Sequence, residues 1–139
     1  MRIERAADAA AVAAATDLFD EPPQEAATAR FLSSADHHLL LAYEGDRAVG
    51  MISGVETTHP DKGTEMFVYE LGVDEDARRR GVATALVHAL ATLAKERGCY
   101  GMWVGVDTDN VAALATYRRA GAHEEAPAVV FSWEFPRPG

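Results

Sequence analysis

Apolar residues alternate with polar ones along some stretches of the chain and recur every three or four positions along others, and the two periods predict different elements. Met1 to Arg5 reads as a short strand, and the alanine-dense stretch Ala6 to Leu18, with Val12 and Leu18 among its few large apolar residues, reads as a helix. Phe19 to Pro23 interrupts that helix, and Pro22 and Pro23 suit the first turn of a second one running to about Ser33, where a missing N–H goes unnoticed. Residues 37–43 (HHLLLAY) and 47–56 (RAVGMISGVE) predict a hairpin around Glu44–Gly45–Asp46, where glycine permits positive φ. Residues 65–73 (EMFVYELGV) predict a third long strand, with Phe67, Tyr69, Leu71 and Val73 on one face and Glu70 on the other. From Gly81 to Arg97 the spacing of Val82, Leu86, Leu90 and Leu93 is helical, and Lys95, Arg97 and Gly98 mark its end. A strand over Tyr100 to Val106, a helix over Asn110 to Arg119, and strands near Ala122 to Glu125 and Val129 to Phe135 complete the reading. This order predicts an α/β (mixed α+β) fold, a mixed sheet with helices packed on its faces.

With 139 residues, 48% hydrophobic and 25% charged, the chain has apolar content for one domain over residues 1–139 and no room for a second. No apolar run approaches the ~20 residues of a spanning helix, and Asp8 and Asp17 break the alanine-rich start. The basic-then-apolar order of a signal peptide is missing, so the expectation is a cytoplasmic protein without a membrane partner. The single cysteine, Cys99, cannot close an internal disulfide, and no neighbouring base marks it as a nucleophile. His37, His38, His59, His88 and His123 form neither HExxH nor a Cys/His pair, so no metal is expected.

Charge changes the picture by region. Residues 1–77 carry 16 acids and 5 bases, residues 78–97 carry 1 and 5, and residues 98–139 carry 5 and 3. One positive segment inside an acidic chain is too small for a nucleic-acid face and suits a small phosphorylated ligand better. That segment is the junction LGVDEDARRRGVATAL at 71–86, where a strand ends and a helix opens behind Arg78, Arg79 and Arg80. Amides in the first helical turn lack intrahelical partners and the dipole there is positive, so an anion is welcome. Gly81 and Ala83 let it approach and Thr84 adds a hydroxyl. The three arginines oppose the dipole, at roughly 0.3–1 kcal/mol each when exposed, which something anionic should offset. Neither a Walker A loop nor GxGxxG is present, and what remains is RxxGxA at Arg78, Gly81 and Ala83.

RxxGxA after a strand of type LGV, followed by Asn110 and a helix bearing ALATYRRAGA, resembles the GNAT superfamily of acyl-CoA-dependent N-acetyltransferases over about residues 38–125. The resemblance implies a mainly antiparallel, mixed sheet of six to seven strands with about four helices on its faces. It further implies acetyl-CoA in a V-shaped gap between the strand ending at Val73 and the strand Tyr100 to Val106. The pyrophosphate would lie on amides of residues 79–84, Val82, Ala83 and Thr84 among them. The pantetheine arm would pair with backbone of Leu71 and Val73 and touch Asn110. Within the superfamily the chain looks most like the small aminoglycoside 3-N-acetyltransferases, on VYELGV, RRRGVATALV, VGVDTDNVAALATYRRAGAHEE and, loosely, LFDEP at 18–22. It departs from that group in carrying Glu70 where aspartate is usual and in having Glu134 as the sole acid of its last strand. A homodimer is expected by analogy with the fold's relatives.

Acetyl transfer to an amine needs a base, an acid and a group to hold the thioester oxygen. Glu70 is the candidate base, on the argument that burial mid-strand raises a carboxylate's pKa; the alternative is a solvated or paired strand carboxylate. Tyr117 lies two turns after Asn110 on one helix and is the candidate acid for the leaving sulfur, the alternative being packing against Leu114. The Leu71 amide would hold the oxygen, with Gly72 expected at a bulge that opens it. Asp20, Glu21, Asp107, Asp109, Glu124 and Glu125 would surround a cationic small-molecule amine, an aminoglycoside first, although each is equally a solubilising charge. The alternatives are another acceptor (a polyamine, an amino-acid-like metabolite or a protein amine) and a non-catalytic acetyl-CoA-binding module.

Overall fold

A computed structural model describes residues 1–137. Its centre is an antiparallel meander of β2 (His37–Glu44), β3 (Arg47–His59) and β4 (Gly63–Val73), with β1 (Arg2–Arg5) at one edge and β5 (Met102–Trp103) at the other. The expected hairpin closes with Glu44 opposite Arg47, and Gly45 adopts φ +60° in its turn. Among the described strands only β5 runs parallel to its neighbour, which requires a crossover, and α3 (Val82–Glu96) supplies it.

The helices are shorter at their starts than the sequence pattern alone predicts. The Asp8 side chain accepts from Ala11 N–H at 2.9 Å and starts α1 (Ala9–Ala14), which tightens after Ala15 into a 3-10 turn, Thr16–Leu18. Helix α2 (Glu25–Ser33) begins after Gln24, so Pro22 and Pro23 precede it, consistent with proline disfavouring helix in the residue before it. Among the described residues no helix is long and apolar enough to cross a membrane.

Period-two alternation in the strands builds one apolar layer on each side of the sheet. Leu39, Leu41 and Met51 meet Val12, Ala15 and Leu18 under α1, while Leu40, Ile52, Met66 and Val68 meet Leu86 and Leu90 of α3. Helix α3 rests directly on strand backbone. A Cβ on Gly50 would stand 2.8 Å from Val82 Cγ1, and one on Gly54 would stand 3.0 Å from Leu90 Cδ2.

Three expectations are corrected. Among the described residues the sheet has five strands, not six to seven: β5 is confined to Met102–Trp103 instead of Tyr100–Val106, and residues 122–125 and 129–135 join no ladder. These last segments lie exposed, with no strand beside them to take their backbone hydrogen bonds. The expected bulge is at Tyr69, not Gly72, since Ser53 faces Glu70 while Gly54 faces Val68. That extra residue overturns the expected parity. Leu71 and Val73 pack toward α3, whereas Phe67, edge-to-face with Tyr69, stacks on Trp103. Glu70 reaches the α1–α2 loop on the opposite side from Leu71. Gly72 has a different reason to be glycine, because its Cβ would stand 2.3 Å from the Leu18 carbonyl oxygen, in the loop that lies over it.

Candidate active site

The parallel pairing of β4 with β5 lasts two positions, Met66 with Met102 and Phe67 with Trp103, and then stops. Bulges strengthen local twist, and this one begins where the pairing ends. The Asp74 amide donates to the Val49 carbonyl at 2.9 Å, so alternation along the β3–β4 ladder turns the N–H and C=O groups of Leu71 and Val73 away from β3. They face the gap that opens beyond Trp103. Two sequence-predicted residues thus present main-chain donors and acceptors to one slot, although the Val73 carbonyl already accepts from Arg78 Nε at 3.2 Å.

The slot leads to the start of α3. Gly81 is its N-cap at φ +81°, without a side-chain capping bond, and a Cβ there would meet nothing within 4 Å. The first-turn amides of Val82, Ala83 and Thr84 are therefore left to an outside acceptor, while the Val82 side chain is buried under the helix. Arg79 takes φ 65°, a left-handed conformation costly for a side-chain-bearing residue. The three arginines divide. Arg80 is held bidentately by Glu44 at 2.5 and 3.1 Å, Arg78 reaches back to strand backbone, and Arg79 makes no ion pair among the described residues. Arg47 braces the loop beneath by pairing with Asp74 and Asp76, and its guanidinium holds the Asp76 carboxyl below the usual aspartate range. Sequence reasoning missed Glu44 and Arg47 because both lie over 25 residues away along the chain and no local pattern joins them.

At the other end of the slot Glu70 is half-buried, and its Oε2 accepts from the Asp20 amide at 2.9 Å. One bond brings together a predicted base and a loop predicted to border the acceptor; Glu21 follows in the same exposed loop. Beside Glu70 lies an aromatic shelf absent from the sequence expectations. Phe67 stacks at 4.5 Å on Trp103 and edge-to-face at 6.0 Å on Tyr69, which is 72% exposed. The signal for it was the alternation of Phe67 and Tyr69, obscured by the bulge.

Helix α4 (Val111–Arg119) packs against α3. Asn110 is its N-cap, Oδ1 accepting from Ala113 N–H at 3.1 Å, which leaves the amide NH2 to donate elsewhere. Tyr117 packs against the α3 core, and burial pushes its phenol above the ordinary value of 10.0, so it stays protonated through neutral pH. His88 Nε2 lies 3.2 Å from the Ala120 carbonyl and ties α4 to α3. The acidic set is only partly gathered. Asp107 and Asp109 are exposed in the turn before α4, where their carbonyls accept from Asn110 and Val111. Glu124 is neutralised by Arg118 at 3.0 Å, and Glu125 lies in the exposed segment beyond.

The arrangement joins an uncapped helix start, a slot of strand backbone that the sheet ladder leaves open and a carboxylate, with a protonated phenol against the α3 core. Comparison with known proteins gives a consistent picture. The sequence model of the acetyltransferase (GNAT) family matches residues 7–122. A mycothiol acetyltransferase of Clavibacter sepedonicus is 41% identical over 88 residues, 63% of this chain, which spans only 28% of that relative's length. A crystal structure of an aminoglycoside acetyltransferase from an uncultured soil metagenomic sample, in complex with trehalose, superimposes with TM-score 0.89 at 21% identity over 97% of this chain and 96% of the other. An aminoglycoside 6′-N-acetyltransferase of Acinetobacter haemolyticus has TM-score 0.79 and 24% identity, over 98% of this chain and 100% of the other.

Proposed function

The chain belongs to the acetyltransferase (GNAT) family, and from that premise we propose that it transfers an acetyl group from acetyl-CoA to an amine of a polycationic small molecule, an aminoglycoside first. The observation that supports this reading is the slot itself, with free α3 amides at one end and Glu70 at the other. The fit to coenzyme A rests on those uncapped amides, on the open space in front of Gly81 and on the backbone of Leu71 and Val73 that faces away from β3, of which the Val73 carbonyl is shared with Arg78. The amides of 79–84 with Arg78, Arg79 and Arg80 would hold the diphosphate, Leu71 and Val73 the pantetheine arm, and the Asn110 amide NH2 a carbonyl of that arm.

When bound, the coenzyme supplies an acetyl thioester. In this reading Glu70 takes a proton from the acceptor ammonium, directly or through one water, and the Asp20 amide keeps the carboxylate facing the loop. The Leu71 amide, aimed into the slot, carries the charge that develops on the thioester oxygen. Tyr117 gives the departing sulfur its proton. Asp20, Glu21, Asp107 and Asp109 supply a negative field at the acceptor side. Glu124 and Glu125 take a lesser place in that field, the first because Arg118 cancels it.

The 3-N regiochemistry expected from the sequence gains nothing from the neighbours, since the one above whose position is named acts at 6′-N. A second acceptor class is favoured by the 41% identity to an enzyme named for mycothiol, namely the amine of another metabolite. Turnover of acetyl-CoA against a panel of aminoglycosides, polyamines and amino-sugar amines decides between them. Glu70→Gln is expected to lower kcat by about 10²–10⁴ with acetyl-CoA affinity kept. A protein that binds acetyl-CoA and acetylates none of the panel is the non-catalytic module instead; normal turnover by both Glu70→Gln and Tyr117→Phe would remove the assigned roles.

A further inference from the structure

The turn before α3 is strongly positive in the sequence and balanced in the fold. Asp74, Glu75 and Asp76 directly precede Arg78, Arg79 and Arg80, and the β2–β3 hairpin brings Glu44 and Arg47 against the same turn. Two of its arginines are already engaged, Arg80 by Glu44 at 2.5 and 3.1 Å and Arg78 by the Val73 carbonyl at 3.2 Å. Arg79, the residue at φ 65°, makes no ion pair among the described residues. A diphosphate approaching the α3 amides thus meets less free positive charge than three arginines suggest, and it meets carboxylates in the same turn.

Arg47 answers those carboxylates from a different element, the start of β3. Its Nη2 pairs with Asp74 and, at 3.2 Å, with Asp76 Oδ1, while its Nη1 donates to Asp76 Oδ2 at 3.3 Å. The Asp74 side chain is only 20% exposed, so water screens its charge poorly. Asp76 cannot escape repulsion by protonating, because the Arg47 hydrogen bond holds its carboxyl below the usual aspartate range. Arg47 itself is 58% exposed, and ion pairs this wet contribute little to stability, so a purely structural role leaves the arrangement unexplained. Resting on the coenzyme A reading, we propose that Arg47 is a positioning residue for the carrier: it touches no atom of the coenzyme, but by cancelling Asp74 and Asp76 it lets the diphosphate settle on the α3 amides.

Calorimetric titration of coenzyme A into the intact chain tests this. Arg47→Ala is expected to weaken binding about tenfold at 0.1 M salt, where the Debye length is about 10 Å, and by no more than about twofold at 1 M, where it is about 3 Å. Asp74→Asn with Asp76→Asn cuts the same ion pairs but deletes the negative charges, so affinity should hold or rise. Adding Arg47→Ala to that pair should cost nothing further. A simple tether predicts the reverse, with the asparagine pair as damaging as Arg47→Ala at both salt concentrations. Arg47→Lys keeps the charge without the planar fork and should bind within about threefold of wild type. The asparagine pair reads the same charges in a chain that keeps Arg47, so the outcome does not depend on how well Arg47→Ala folds. A wild-type chain that gives no heat removes the coenzyme reading itself, and this role with it. Where wild type binds, three results overturn the role of Arg47 alone: unchanged affinity in Arg47→Ala, a loss that salt does not reduce, or weakened binding by the asparagine pair.

Discussion

Glu56 is the residue at which burial and charge oppose each other most directly. Burial alone would raise its carboxyl, but hydrogen bonds from His38 at 2.6 Å and Arg97 at 2.7 Å outweigh it and hold the group below 4.5. A carboxylate depressed in the folded state contributes stability that is full above its unfolded pKa and lost as pH falls through the folded one. His38 is wholly buried, so Glu56→Ala leaves its Nε2 without a hydrogen-bond partner and is expected to cost about 1–3 kcal/mol at pH 7. That deficit should shrink in urea titrations taken stepwise into the acid range; a deficit constant with pH would contradict the pairing. Tyr117 makes the complementary case. Because burial raises its phenol above 10.0, the activity profile should show no descending limb below pH 10 that Tyr117→Phe abolishes.

Among elements, α3 matters most, since its first turn is the proposed anion site and its height is set by two glycines of β3. Gly54→Ala drives a methyl group toward Leu90 and Met66 Sδ, and about 1–3 kcal/mol of lost stability in chemical denaturation is expected. Gly50→Ala pushes on Val82 at the helix start, so weaker coenzyme A binding by calorimetry should accompany a similar loss. Gly72→Ala acts elsewhere. It would displace the Leu18 carbonyl and with it the Asp20 amide on Glu70, and KM for the amine should rise more than KM for acetyl-CoA. The hairpin and α3 were legible in the sequence because their signals are local: Gly45 between two apolar runs, and Val82, Leu86 and Leu90 behind Gly81. The bulge at Tyr69 was not, because an inserted residue in one strand is defined only by its partner on β3, Ser53 or Gly54. Glu70 was found as a candidate yet put on the wrong face relative to Phe67 for the same reason. The braces Arg47 with Asp76 and Arg80 with Glu44 join distant segments and leave no periodic trace.

At the scale of the molecule, charge and sheet order set what the protein meets. A net charge of −9 with three consecutive arginines at the start of α3 suits the proposed cationic acceptor at one mouth and anionic carrier at the other. kcat/KM for a polycationic acceptor should therefore fall as ionic strength rises, and indifference to salt would remove the acidic field from the account. The strands expected at 122–125 and 129–135 have the right pattern and no neighbour within the chain, a reminder that alternation specifies a strand's faces and not its partner.

The insertion at Tyr69 has a mechanical corollary. Without that residue, Val68 and Glu70 would still point to opposite sides, so no buried side chain need move and the ladder from Gly63 to Val73 would run unbroken. A variant lacking Tyr69 is expected to match or exceed the parent in urea unfolding and, on the proposed reading, to lose turnover, because an unbroken ladder would narrow the fork between β4 and β5.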